Sequence, residues 1–349
     1  MEQQAMYQKG RGAQINPTDR FSQYVREEEA PELGLRTQYL KVHPKTILNR
    51  VDSPDIGPGW SMNPYQGCEH GCVYCYARNS HNYWGYSAGL DFERVILVKE
   101  EAPRLLEEQL KKKNWKPEPI MLSGNTDCYQ PIERELEITR EILKVLWKYR
   151  HPVGIITKNS LVLRDLDLLK PMAESRLVRV SISLTTLDED LRRLLEPRTA
   201  SVDTRLKTIQ TLVENGISVN AMLAPIIPGL NSHEILPMAE RAASLGAHSI
   251  GYTVVRLNGD VAAIFEDWLR KTMPDRADKV LNSIRDCHSG RLSDSRFGTR
   301  MRGEGHLADI IAQQFLLART RYFKDKPKMA YNLELYERAK QPQLQLFQE

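Results

Sequence analysis

The sequence predicts an α/β protein built on a partial (β/α)6 barrel, with an N-terminal arm and a helical C-terminal extension. Three observations carry this. Short apolar or β-branched runs recur at 119–123, 153–157, 177–184, 217–223 and 249–255. The segments between them have helical spacing, and after Val255 no further strand-like run appears. Near-continuous apolar strands alternating with amphipathic helices point to a parallel sheet covered on its outer face.

In order along the chain, residues 1–55 are polar, Gly- and Pro-bearing and without a sustained period, which reads as an irregular arm. The core is assigned to 56–260. Its first strand is WSMNPY (60–65), and because Pro64 cannot donate to a ladder this strand is expected at a sheet edge. FERVILVK (92–99) reads as an accessory strand before a helix at 103–113. In the helix predicted over 131–150, Leu136, Leu143 and Trp147 share one face, with Ile142 and Leu146 beside them. Further helices are expected at 161–170, 203–214 and 233–245, with Asp203 and Ser232 as N-cap candidates. The extension, 261–349, reads as helices at 261–270, 275–286 and 306–322 with a Gly/Arg-rich link before the last.

With 349 residues the chain can bury a large core, and its 41% hydrophobic and 27% charged content excludes general disorder. A formal charge of +4 is mild and permits nucleic-acid contact without arguing for it. No apolar stretch approaches membrane-spanning length, and the first residues lack a signal-peptide core, so no membrane partner and a cytoplasmic location are expected.

Of five cysteines, Cys68, Cys72 and Cys75 fall within eight residues, while Cys128 and Cys287 stand alone. In a reducing compartment such a cluster suggests metal binding or catalysis rather than disulfides. A structural zinc site wants four closed ligands, and His70 or His81 could complete one. Three thiolates on a 4Fe-4S cluster would instead leave one iron open to a small molecule. The first alternative is a metal-stabilised nucleic-acid-binding module with zinc or an inert cluster; the second is a redox enzyme.

Cys68-Glu-His-Gly-Cys72-Val-Tyr-Cys75-Tyr76, following the first strand of a βα series, resembles the radical S-adenosylmethionine (SAM) superfamily signature. NPYQGCEHGCVYCYAR, then Thr126-Asp127-Cys128-Tyr129-Gln130-Pro131-Ile132-Glu133, then TKNS, is similar to the spore-photolyase-like branch. The resemblance implies a radical-SAM-type barrel. It also implies a 4Fe-4S cluster on Cys68, Cys72 and Cys75, with SAM on the open iron. Reductive cleavage of SAM would yield a radical that abstracts hydrogen from a substrate it does not identify. An outside reductant such as flavodoxin or ferredoxin is implied too. By the same resemblance Tyr74, Tyr76, Thr126, Asp127, Lys158 and Ser183 are SAM-contact candidates.

One departure stands out. Spore photolyase carries a hydrogen-donating cysteine three residues before the turn aspartate, and counting back from Asp127 that place is Gly124. Cys128 is either a relocated donor or a small buried thiol. Functional groups of βα barrels project from the C-terminal ends of strands, which makes Arg256 a candidate for substrate contact. Arg198 reads as a substrate contact or as one half of an ion pair with Glu196 or a neighbouring loop. The link 296–305 reads as an anion site or a solvated loop. Arg319, Arg321, Lys324, Lys326 and Lys328, with Tyr322 and Phe323, read as a nucleic-acid track or a charged surface tail.

Overall fold

The computed structural model describes residues 7–17, 36–56, 59–327 and 329–339. Within them, ten strands form two sheets. They are β1 (Gln38–Lys41), β2 (Leu48–Val51), β3 (Gly59–Met62), β4 (Tyr65–Gln66), β5 (Val95–Val98), β6 (Ile120–Leu122), β7 (Val153–Thr157), β8 (Val178–Ser183), β9 (Val219–Ile226) and β10 (Ser249–Val254). The large sheet runs β10-β9-β8-β7-β6-β3-β2, and its first six members are parallel. This is the expected six-stranded parallel core.

Alternation fixes the two faces of that sheet. Ile120, Leu122, Val153, Ile155, Val178, Val180, Val219, Ala221 and Leu223 all enter the main apolar core. There they meet helices Ile138–Lys148, Leu166–Glu174, Val202–Glu214 and Ile235–Ser244, whose buried residues belong to the same core. Gly154, Arg179, Ser181 and Asn220 alternate with those residues and point to the concave inner side. The helix expected over 131–150 is two, Glu133–Leu136 and Ile138–Lys148, parted at Glu137 with φ of 52°. On the second, Ile142, Leu143 and Leu146 are buried while Trp147 packs at the margin, as does Leu136 at the end of the first.

Three expectations need correction. The strand after Gly59 is not an edge: β2 pairs with it antiparallel, and Pro64 lies between β3 and β4 rather than in either. The arm is therefore irregular only in part, since β1 also joins a small sheet, β1-β5-β4. The N-cap of helix Val202–Glu214 is Ser201, whose hydroxyl accepts from the Thr204 amide at 3.2 Å, so Asp203 already lies inside the helix, and Ser232 likewise lies inside a 3-10 turn, Ser232–Glu234, that precedes helix Ile235–Ser244. Residues 18–35, part of the predicted arm, and Lys328 lie outside the described residues.

The C-terminal extension packs against both ends and one flank of the barrel. Helices Val261–Thr272 and Pro274–Asp286 share a second apolar core with Val73, Tyr74, Leu191 and Leu195 beside the cysteine loop. The helix His306–Tyr322 adds Ala308, Ile311, Phe315 and Ala318 to the main core. Among the described residues no helix is long and apolar enough to cross a membrane.

Candidate functional site

The cysteine loop begins where β4 ends. Gly67 has φ of +83°, and a Cβ there would lie 2.6 Å from the Val95 carbonyl oxygen, so the tight entry demands glycine. The Cys68 amide donates to the Phe92 carbonyl at 2.8 Å, and the Cys75 amide to the Cys72 carbonyl at 3.3 Å. Cys75 then caps a 3-10 helix, Tyr76–Trp84. All five cysteines are free thiols.

Beneath the loop lies a buried ion pair. Arg78 and Glu93 are fully buried with nitrogen and oxygen 2.5 Å apart, and the Arg78 Nε donates to the Cys72 carbonyl at 3.0 Å. The same carboxylate accepts from the amides of Gly12 at 3.1 Å and Ala13 at 2.7 Å. Residues 11–13 therefore strap the cysteine loop, a role that nothing in their local sequence pattern announces.

The turn after β6 holds Asp127, which binds four groups. Its Oδ1 accepts from the Thr157 hydroxyl at 2.8 Å and the Tyr129 amide at 2.9 Å. Its Oδ2 accepts from the Lys158 amide at 2.8 Å and faces His70 Nδ1 at 3.3 Å. Burial raises the Asp127 pKa, but His70 and these donors outweigh it and hold the carboxyl at about 2. Burial likewise lowers His70, yet Cys68 and Asp127 raise it to about 10, which keeps the imidazole protonated beside the cysteines. Thr126 is buried, and its hydroxyl donates to the Tyr65 carbonyl at 2.8 Å.

At the end of β7, Lys158 stands with Nζ 4.0 Å from Glu196 and 6.0 Å over the Tyr74 ring. Glu196 is fully buried and accepts from Tyr74, from Arg205 and from Thr185 at 2.6 Å. Burial raises the Glu196 pKa, but Arg205 and Lys158 lower it to about 2. Burial pushes the Cys72 thiol up, as does Glu196, against the pull of Lys158. Ser183, at the end of β8, is buried, and its carbonyl accepts from Arg205 at 3.0 Å.

The structure thus gathers the cysteine loop, Tyr74, Tyr76, Asp127, Lys158 and Ser183 at the C-terminal ends of the strands. Tyr76 is 49% exposed, its hydroxyl donates to the Gly124 carbonyl, and the Arg256 guanidinium lies 5.9 Å over its ring. Cys128 does not join them: it is fully buried in the main core, with its thiol pushed well up by burial, so the buried-thiol reading holds. Arg198 pairs at 3.4 Å with Glu69 on the cysteine loop, not with Glu196. In the link 296–305, Arg296 pairs with Asp294 and Glu304, and Arg300 with Asp55, so two of its three guanidiniums are already neutralised. Sequence reasoning gave no role to Arg78 or Glu93, nor to Gln130, whose side chain accepts from the Glu69 amide at 3.1 Å and donates to the Gly67 carbonyl at 3.3 Å, and it weighed Glu196 only as a partner for Arg198. Arg78 and Gln130 stand within the quoted motifs, but the contacts that define their roles are made elsewhere in the chain.

Comparison with known proteins decides the family. Residues 62–242, just over half of the chain, match the Radical SAM superfamily. The chain belongs to the radical SAM superfamily. It is 31% identical over 254 residues to the uncharacterized protein Rv2578c of Mycobacterium tuberculosis, covering 72% of this chain and 74% of that one. It is 34% identical over 198 residues to the uncharacterized protein MJ0683 of Methanocaldococcus jannaschii, covering 57% and 71%. Spore photoproduct lyase complexed with dinucleoside spore photoproduct has the same fold, with a TM-score of 0.60 at 15% identity over 82% of this chain and 79% of that one.

Radical SAM proteins use a 4Fe-4S cluster and SAM, and a spore photoproduct lyase variant with bound AdoMet matches this fold with a TM-score of 0.59 at 13% identity, covering 82% of this chain and 79% of that one. The residues here suit such a cluster better than a single ion. Among the described residues no three His, Cys, Asp or Glu side chains converge as they would on one metal ion. Neither histidine completes a zinc set: His70 faces Asp127, and His81 is enclosed with Phe92 and Tyr86 at ring distances of 5.5 and 5.3 Å. Protonated His70 faces the loop, and Lys158 and Arg78 favour the charged form of its thiols. These cations complement an anionic cluster.

Proposed function

We propose that this radical SAM protein is an enzyme in which Cys68, Cys72 and Cys75 hold the cluster and the adjoining strand ends hold SAM. When bound, the cluster and SAM supply reductive cleavage and a radical able to abstract hydrogen. The observation that carries the reading is the three-thiol loop beside His70 and Arg78, with the Lys158 ammonium at the strand end next to it, 4.0 Å from Glu196.

The chain's own residues then divide the work. Asp127 binds both the Lys158 amide and the His70 ring, so it fixes the β7 turn against the cysteine loop. Its role is positioning, as is that of Thr126, whose hydroxyl is used on Tyr65. Lys158 reaches past Glu196 at 4.0 Å, beyond hydrogen-bond distance, which leaves its ammonium able to pair with the SAM carboxylate. Tyr74 closes the wall of the site through Glu196, and exposed Tyr76 offers a ring face at the mouth. Ser183 offers a hydroxyl for the ribose. Arg256 stands over Tyr76 at the mouth, where a substrate would enter.

Lesion repair is not carried over with the fold. The place that the resemblance gives to a hydrogen-donating cysteine is Gly124, where a Cβ would lie 2.4 Å from the Ser61 hydroxyl. A low-potential donor of the flavodoxin or ferredoxin type in the reducing cytoplasm would supply the electron. Anaerobic reconstitution tests the whole reading. Iron and sulfide bound in a cubane ratio, with SAM cleaved under dithionite, is the expected result. Stoichiometric zinc without SAM turnover would overturn it.

A further inference from the structure

At the opposite end of the barrel from the cysteines lies a cavity of about 700 Å³, within the range that encloses a small ligand. Its walls come from the N-terminal ends of the strands. Gly154 pairs with Arg179, and Ser181, Asn220 and Ser249 stand side by side in register. The interior of a βα barrel is ordinarily filled by bulky branched side chains. Here those positions are Met121, Gly154, Arg179, Ser181, Asn220 and Ser249, so only the methionine supplies apolar fill.

The polar wall is organised. The Ser249 hydroxyl donates to Asn220 Oδ1 at 2.9 Å, and the Asn220 amide group reaches the Ser181 hydroxyl at 3.4 Å. The guanidinium of Arg179 lies 4.5 Å over the ring of Tyr331. Gly154 makes room for that ring, since a Cβ there would lie 3.2 Å from the Tyr331 hydroxyl and 3.0 Å from Met121 Cε. Stacking presents the planar fork in a fixed orientation, as bidentate recognition of an oxyanion requires.

The charge is one-sided. Arg319 and Lys326, from the basic stretch that the sequence singled out, complete the wall beside Arg179. Among the described residues no aspartate or glutamate lines the cavity. Among the described residues none of these three cations lies within 4 Å of a carboxylate. Arg179 is half-buried and Arg319 and Lys326 are exposed, so an anion bound among them would gain salt-screened attraction from all three.

We propose that this cavity binds a small phosphate ester, with Arg179 as the anchoring fork, Lys326 and Arg319 as its charge partners, and the Ser181–Asn220–Ser249 row facing the sugar or polyol. The site is separated from the cysteine loop by the length of the strands and stands independently of the SAM reading. The probes contain no adenosine, so they do not compete for a SAM site. Uridine 5′-monophosphate, ribose 5-phosphate and uridine are titrated calorimetrically into the full chain at low and moderate salt. Saturable binding of both phosphates, at least tenfold weaker binding of uridine, and weakening with salt are expected.

Arg179→Gln should weaken the phosphates by tenfold or more while SAM affinity is unchanged. Lys326→Gln, at an exposed position that tolerates change, should weaken them severalfold and guards against a folding defect in the first variant. Failure of the wild-type chain to bind either phosphate, equal binding of uridine, or unchanged phosphate affinity in both variants would each overturn the proposal. None of these results would touch the reading of the cysteine loop.

Discussion

Replacing Gly12 with alanine puts the strap over the cysteine loop to a direct test. A Cβ at Gly12 would lie 1.6 Å from the Gly71 carbonyl oxygen and 2.7 Å from its carbon. Both are backbone atoms of the loop that carries Cys68, Cys72 and Cys75, so no side chain can swing aside. Ordinary overpacking costs about 1–3 kcal/mol, but it relies on soft neighbours to relax. Here the strap must lift. In lifting it releases the Gly12 and Ala13 amides from the buried Glu93 carboxylate, at 3.1 and 2.7 Å. Hydrogen bonds to a charged group contribute about 1.5–3 kcal/mol each, so the pair represents about 3–6 kcal/mol, reduced by whatever water restores.

Gly10→Ala is the control. Gly10 has φ of +82° and nothing within 4 Å of its would-be Cβ, so the change costs only the left-handed backbone penalty of about 1–2 kcal/mol. Urea unfolding of the anaerobically reconstituted chain measures the stability difference. The rate at which the cluster absorbance bleaches in air measures exposure of the loop. Gly12→Ala is expected to lose at least 1–2 kcal/mol more than Gly10→Ala and to bleach several times faster. Equal stability and equal bleaching in the two variants would refute the strap.

Four further outcomes follow from the same geometry. Cys68→Ala, Cys72→Ala and Cys75→Ala should each reduce bound iron to background after reconstitution, whereas Cys128→Ala should retain it and cost stability only as a small core cavity does, about 1 kcal/mol. Lys158→Ala should keep the cluster spectrum and weaken SAM binding by about 10–100-fold, matching loss of one sheltered charge-assisted bond. Glu196→Gln should instead act on folding, because it leaves fully buried Arg205 without its carboxylate, a loss of about 3–5 kcal/mol visible in urea unfolding. His81 gives a pH dependence: burial holds its folded pKa at about 4, below its ordinary 6.5, and both ring nitrogens lack a partner among the described residues. The unfolded chain therefore binds more protons between these values, so this contribution is full above pH 6.5 and fades as pH falls toward 4. It amounts to about 3 kcal/mol at most, and His81→Phe should remove that slope from the stability profile.

The barrel was legible because each parallel strand is an apolar run buried on its helix side, a pattern that survives without any tertiary information. The β2 strand was not. Leu48-Asn49-Arg50-Val51 has one buried residue and a mostly exposed pattern, and it exists as a strand only because the β3 edge offers it a ladder. That one missing strand is why Pro64 suggested an edge that the structure covers. The cysteine loop was legible for a different reason, since cysteine spacing within one loop is a local property. Its supports were not: Glu93 meets Gly12 across 81 positions, and Tyr74 meets Glu196 across 122. A charged residue paired across such a gap looks in sequence like any solvated one.

Charge is arranged differently at the two ends of the barrel, and that contrast separates their roles. Around the cysteines several cations have a carboxylate that holds them in place: Arg78 has Glu93, His70 has Asp127, Arg205 has Glu196. Lys158 stands back from its partner, at 4.0 Å. Such pairing fixes geometry and leaves one ammonium free for an incoming group, which suits a site that must hold a cofactor in a single pose. At the far end Arg179, Arg319 and Lys326 line a wall that has no acidic residue among the described residues. Arg179 is held by its stack on Tyr331, whereas exposed Arg319 and Lys326 would gain a partner only when an anion arrives. The first end is therefore preorganised before its ligand binds, while the second would be completed by its ligand. Added phosphate ester should consequently stabilise the chain against unfolding more than its affinity for the SAM end could explain.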